Sequence, residues 1–254
     1  MRGSFSAVGF DPDDTSKPAD ETVQFYPFHR TMPYERSKVL VEHECLQAVA
    51  DGLDVVIATS CAIIGGNDYL PSRMGRTIAD YANGKLHAWV PGGFEFVAAR
   101  DIVQGHVLAM QKGRTGQKYI ISTEYLEIDQ LMDIFEDVTG IPKPKLRLPG
   151  PVMLAFSEAA SYYLSRFHPT FPQRLTPGAI RLLGMRRRAD HNKAVRELGF
   201  QPTSMRDAVR EAYAFHWERG AITNPQAKQP DWTPEESDRQ AVRPRTPQAR
   251  PAAE

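Results

Sequence analysis

Scarcity narrows this sequence first. Two cysteines, Cys45 and Cys61, among 254 residues cannot build a disulfide framework, so reduced thiols in a cytoplasmic protein are the expectation. Neither sign of charge is in excess: 31 Lys and Arg face 31 Asp and Glu. That balance points away from the global basic field of a nucleic-acid binder and from an acidic solvating tail. No apolar run approaches the roughly 20 residues that span a bilayer, and Met1 to Phe10 lacks the apolar stretch of a signal peptide. The seven histidines fall in unrelated segments, with none of the spacing of a metal site.

What is present alternates. Tyr34 to Ala50 has the spacing of a helix, with Leu40, Cys45, Leu46 and Val49 as its apolar repeat, and Asp51-Gly52 ends it. Leu53 to Ala58 follows as a short run rich in valine and isoleucine, the pattern of a buried parallel strand. Helices are expected over 72–82, 101–111 and 128–138, and strands over 87–90, 94–98 and 118–122. After Pro149 the character changes. Helices are expected over 152–167, 177–183, 192–198 and 204–219. From Thr223 onward proline, charge and glutamine dominate, a composition that cannot order itself. The fold class is therefore α/β. Its regions are an alternating α/β region (1–148), a helical region (149–222) and a disordered tail (223–254).

Chemistry is carried by Tyr34-Glu35-Arg36-Ser37-Lys38. Tyr34 and Lys38 stand one helical turn apart on the same face. A phenol titrates near pH 10, too high for efficient proton transfer at neutrality, and an adjacent ammonium stabilises its phenolate. The same lysine can donate to the ribose hydroxyls of a nicotinamide cofactor. An upstream serine, Ser4, is the candidate to hold a substrate oxygen. By itself a Tyr-x-x-x-Lys match more often describes a helix-start tyrosine with a solvated lysine, so the weight rests on its surroundings.

Those surroundings are several stretches in a fixed order. They are Ser4 to Gly9, Pro33 to Glu44, Asp54 to Ala58, Ile64-Gly65-Gly66-Asn67-Asp68, Phe96 to His106 and Asn192 to Phe200. Together they resemble the extended short-chain dehydrogenase/reductase family, also called the NAD-dependent epimerase/dehydratase family, from about Ser4 to Gly220. Gly75-Arg76 to Trp89 and Tyr119 to Leu131 are most similar to its dihydroflavonol-reductase-like and hopanoid-associated sugar-epimerase-like branch. The resemblance implies the C-terminal part of a Rossmann-like parallel sheet with a small, mainly helical substrate domain. It implies NAD or NADP as cofactor and a small-molecule substrate. Tyr34 would be the general acid/base, Lys38 its electrostatic partner and ribose ligand, and Ser4 the substrate-orienting hydroxyl, with Ser60 and Cys61 beside the nicotinamide. The reaction implied is oxidation or reduction of a carbonyl/alcohol; a nucleotide-sugar epimerase or dehydratase uses the same triad. A non-catalytic scaffold subunit is the reading from another class.

The glycine-rich phosphate loop of that family, Gly-x-x-Gly-x-x-Gly, does not occur in these 254 residues. By the resemblance, the first four strands and most of the fifth, roughly a hundred residues, have no counterpart. The expected consequence is an open sheet edge on one of the strands near 54–58 and 118–121, covered by a second copy or a partner. Three further features have plainer expectations: Arg186-Arg187-Arg188 as a solvated turn, Arg100-Asp101 as structural, and the aromatics between Phe156 and Phe167 as ordinary packing.

Overall fold

Three short parallel strands organise the part of the molecule that carries Tyr34. In the computed structural model, which describes residues 1–11, 13–14, 17–25, 32–167 and 176–232, they are β1 (Arg2–Ser4), β2 (Ile57–Ser60) and β6 (Lys118–Ile121), in the order β1-β2-β6. Ile57, Ala58, Tyr119, Ile120 and Ile121 are all buried, as expected for parallel strands covered on both faces. The α/β class read from the sequence is the observed one. The strand expected over 53–58 begins later, at Ile57, where pairing with Lys118 starts. Residues 54–56 lead into it without belonging to any element.

Between β2 and β6 the chain forms β3 (Ala62–Ile64), α2 (Arg73–Ala82), β4 (Ala88–Trp89), β5 (Gly93–Ala98) and α3 (Ala99–Lys112). After β6 come β7 (Glu124–Glu127), α4 (Ile128–Thr139), β8 (Leu146–Arg147), α5 (Gly150–Phe167), α6 (Pro177–Met185), a π-helical turn (Ala194–Leu198) and α7 (Met205–Glu218). A second sheet has the order β3-β5-β7, with β7 antiparallel; β3 and β7 had no strand signal in the sequence. A minor pair joins β4 to β8. Helix α3 lies against the first sheet through Gly105, where a Cβ would stand 2.7 Å from Ile121 Cγ2.

The largest core gathers α2, α4 and α7 over the second sheet, around Tyr81, Phe135 and Tyr213. Helix α7 thus packs with α2, α4 and the second sheet, whereas α5 and α6 meet in a small separate cluster of Val90, Met153 and Ile180. Packed chain also continues past Thr223: Ala227 is buried, and the Tyr213 hydroxyl donates to the Lys228 carbonyl at 2.5 Å. Residues 233–254, the rest of the expected tail, lie outside the described residues.

The sheet edges differ from expectation. Strand β2 is paired on both sides, because Arg2–Ser4 completes a third strand beside it. On β6 the outer edge is capped: the Ile120 N–H donates to the Glu21 carboxylate at 2.8 Å. The open edge is therefore that of β1, which among the described residues pairs only with β2.

Helix α1 (Pro33–Ala50) departs further from its pattern. Its buried residues are Glu35, Val39 and Glu42, while Leu40 and Leu46 are exposed. The inward stripe runs Glu35, Val39, Glu42, Leu46, Val49, at steps of four and three. Two glutamates sit on it because cations from distant segments lie beneath them: Arg187 near Glu35 and Lys118 against Glu42. Burial pushes the Glu42 carboxyl up, and Lys118 opposes that. Leu46 lies on the same stripe, yet it remains exposed.

Candidate active site

Ser4 and Ser60 end adjacent parallel strands and are register partners. They stand at the carboxyl ends of the strands, where open α/β sheets bind ligands. Ser4 caps the 3-10 turn Phe5–Ala7, its Oγ accepting the Ser6 N–H at 3.3 Å. Ser60 is buried and its hydroxyl donates to the Gly3 carbonyl at 3.3 Å. The strands approach so closely that a Cβ on Gly3 would lie 2.6 Å from Thr59 Oγ1.

Pro33 starts α1 with its φ already helical. The Glu35 carboxylate reaches back to accept the Met32 N–H at 3.0 Å. Tyr34, 55% exposed, follows on the open side. The Lys38 ammonium lies 5.6 Å from the centroid of the Tyr34 ring, within cation–π range. Among the described residues no carboxylate pairs with Lys38. Helix α1 packs on the Phe5–Ala7 turn that follows Ser4. The structure thus sets Tyr34 beside Lys38 and Ser4 beside Ser60, with the two pairs on elements in contact. Cys61 is different: its thiol is buried in the core with Phe5, Val8 and Val97, and burial pushes it well above its ordinary value.

Arg187 is what joins the two elements, and the reading of the triple arginine as a solvated turn is wrong for it. It is 3% exposed. Its Nη2 donates to the carbonyls of Phe5 (3.4 Å), Val8 (2.5 Å) and Gly9 (3.3 Å). Its Nη1 stands 3.8 Å from Glu35 Oε1. The guanidinium also stacks on Phe5 and Phe10, at 4.9 and 4.5 Å from the ring centroids. One side chain therefore holds the segment after Ser4 and the residue after Tyr34. Burial lowers the guanidinium to about 10, with Glu35 opposing, so it stays charged at neutral pH. Three adjacent arginines carry no sequence signal for which one turns inward; an acid at the second position of Tyr-x-x-x-Lys was the available hint.

A second polar cluster lies near the ends of the sheets. Glu95 accepts the Ala189 N–H at 3.0 Å and the Ser122 hydroxyl, and Ser122 Oγ is 2.9 Å from His191 Nδ1. Burial raises Glu95 from 4.5 to about 7 against those hydrogen bonds and the nearby Arg188. The folded state then holds a proton that the unfolded chain releases. The contribution of Glu95 to stability is fully present below pH 4.5 and is lost as pH rises through about 7, by roughly 3 kcal/mol in all. Glu95→Gln is expected to remove that slope and raise the melting temperature above neutrality. A wild-type melting temperature that stays flat from about pH 5 to about pH 8 would contradict this.

Comparisons with known proteins agree on the kind of molecule. Residues 3–122 match the model of the NAD dependent epimerase/dehydratase family. The chain is 40% identical over 219 residues to sterol demethylase protein B of Methylococcus capsulatus, covering 86% of this chain and 66% of that one. It is 29% identical over 220 residues to a putative dihydroflavonol 4-reductase of Synechocystis, covering 84% and 62%. Among solved structures, gox2253 superposes with a TM-score of 0.72 at 27% identity, over 87% of this chain and 66% of the other. A nucleoside-diphosphate-sugar epimerase from Pseudomonas aeruginosa gives 0.70 at 24% identity, over 87% and 67%, a likeness of fold. The chain thus spans about two thirds of the length of the relatives it matches.

Proposed function

The chain belongs to the NAD-dependent epimerase/dehydratase family, and from that premise we propose that it supplies the catalytic end of an NAD(P)-dependent oxidoreductase acting on a carbonyl/alcohol. The observation that carries this reading is the placement of Lys38 over the Tyr34 ring, on a helix that packs against the turn after Ser4. A bound nicotinamide cofactor, NAD or NADP, would supply or accept the hydride. Tyr34 moves the proton to or from the substrate oxygen. Lys38 stabilises the phenolate and would hold the ribose hydroxyls of the bound cofactor. The Ser4 hydroxyl orients the substrate oxygen, and Ser60 stands beside it at the strand ends.

The residues present fit one end of the cofactor. Lys38 has no carboxylate partner among the described residues, so its ammonium is available to a ribose. No glycine loop for a pyrophosphate lies within the 254 residues. The relatives at 40% and 29% identity bear sterol and dihydroflavonol names, which favours a hydrophobic alcohol or ketone over a nucleotide sugar, the substrate of the epimerase alternative.

The half-site reading has a direct test. The full chain is titrated with NADH, NADPH and reduced nicotinamide mononucleotide, following nucleotide fluorescence and thermal unfolding together. All three are expected to bind weakly, with affinities within about tenfold of each other, and to raise the melting temperature at saturation. Lys38→Met should abolish binding. A folded wild-type chain that binds none of them, or a Lys38→Met chain that binds as well as wild type, removes the proposal.

A further inference from the structure

Helix α5 does not pack as its composition leads one to expect. Its buried residues are Met153 and Ser157. Phe156 (66% exposed), Tyr162 (75%), Val152, Tyr163 and Phe167 all face outward. Spaced at 100° per residue, Val152, Phe156, Tyr163 and Phe167 form one stripe, with Ala155, Ala159 and Tyr162 continuing it to one side. The Tyr163 and Phe167 rings pack together at 4.9 Å. An outward apolar stripe of this length on a helix exceeds scattered surface hydrophobics and marks an interaction face.

Charge selects the partner. The only charge within the outward arc is Arg166, which stands 6.0 Å from the Phe167 ring. The helix has one acid, Glu158, set on the flank and paired with Arg181 at 2.5 Å. Lys145 and Arg147 are exposed just before the helix begins. Residues 141–190 carry nine Lys and Arg against two Asp and Glu, within a chain whose charges balance overall. A second copy of the same face would bury both Arg166 side chains in an interface whose outward arcs offer no acid to pair with them. Phosphate headgroups over acyl chains satisfy both the arginine and the aromatics, and tyrosine suits that boundary.

We propose that α5 lies in the plane of an anionic lipid surface. Val152, Phe156, Tyr163 and Phe167 enter the headgroup–acyl boundary, and Arg166, Lys145 and Arg147 face lipid phosphates. No helix among the described residues is long and apolar enough to cross a membrane, so the contact is in-plane. It does not depend on the nucleotide chemistry proposed above, and its test uses no nucleotide.

The experiment is flotation of the full chain with vesicles of phosphatidylcholine, alone or with about one third phosphatidylglycerol. The chain is expected to float with the anionic vesicles and remain behind with the neutral ones. Raising salt from about 0.1 M to about 0.5 M should release it. Phe156→Ser/Phe167→Ser is expected to lower the apparent partition coefficient by about tenfold or more. The melting temperature should stay unchanged, since both residues are exposed. Equal flotation of that variant and wild type overturns the proposal, as does a wild-type chain that ignores the anionic vesicles. A chain that ignores vesicles but dimerises through this face, the dimer being lost in the variant, also overturns it in favour of self-association.

Discussion

Tyr34→Phe is expected to lower hydride transfer from a nicotinamide cofactor to a small ketone by about 10²–10⁴, the usual contribution of a positioned acid or base. The substitution is informative because it removes so little else. Tyr34 is on the open side of α1, its backbone carbonyl accepts the Ser37 hydroxyl at 2.7 Å, and phenylalanine leaves that bond intact. The ring under Lys38 also remains, so the ammonium keeps its cation–π contact. Binding of reduced nicotinamide mononucleotide should therefore change by less than about threefold. Lys38→Met behaves differently and should lose binding and turnover together. Turnover by Tyr34→Phe at the wild-type rate would falsify the assignment of Tyr34 as the acid/base.

The second large effect is on stability. Arg187→Met is expected to cost about 3–5 kcal/mol, the range for leaving one member of a buried ion pair uncompensated. That corresponds to a melting temperature lower by roughly 6–20 °C. Glu35 is 1% exposed, so its carboxylate has no water to replace the guanidinium, and the carbonyls of Val8 and Gly9 lose the Arg187 donor. Arg187→Met/Glu35→Leu should recover a large part of the loss, because a matched apolar pair carries no desolvated charge. The double-mutant cycle is then non-additive by more than about 1 kcal/mol. An Arg187→Met chain that melts with wild type, or a strictly additive cycle, would show that the pair does not hold the site.

Much of the architecture was legible because it depends on local pattern. Helices α2, α4 and α7 have apolar periodicity and capping residues in the expected places, as with Ser72 accepting the Gly75 N–H and Gly140 ending α4 at φ 71. Tyr34 and Lys38 were legible for the same reason, since one helical turn suffices to bring them together. What failed depends on chain far away. Nothing in α1 says that Glu35 and Glu42 face inward, because the cations that permit it are at positions 187 and 118. Strand β7 was hidden because Glu124-Tyr125-Leu126-Glu127 is too short and polar to read as a strand without β5 beside it. The aromatics of α5 were expected inside by composition, yet the neighbouring elements cover only its Met153–Ser157 side.

The arginine that ties the site together also sets an order of events during synthesis. Arg187 is 182 residues after the Phe5 carbonyl it binds. At the usual rate of about 5–20 residues per second, roughly 9–36 s separates the two on the ribosome. Throughout that interval Glu35 has no cation to sit against. The Val8 and Gly9 carbonyls lack the Arg187 donor, and β1 waits until Ile57–Ser60 is made before it has a neighbour. The nascent chain therefore carries Tyr34 long before it can hold it in place. A ribosome paused shortly before codon 187 would present a protease-sensitive N-terminal segment that becomes resistant only after the arginine has emerged.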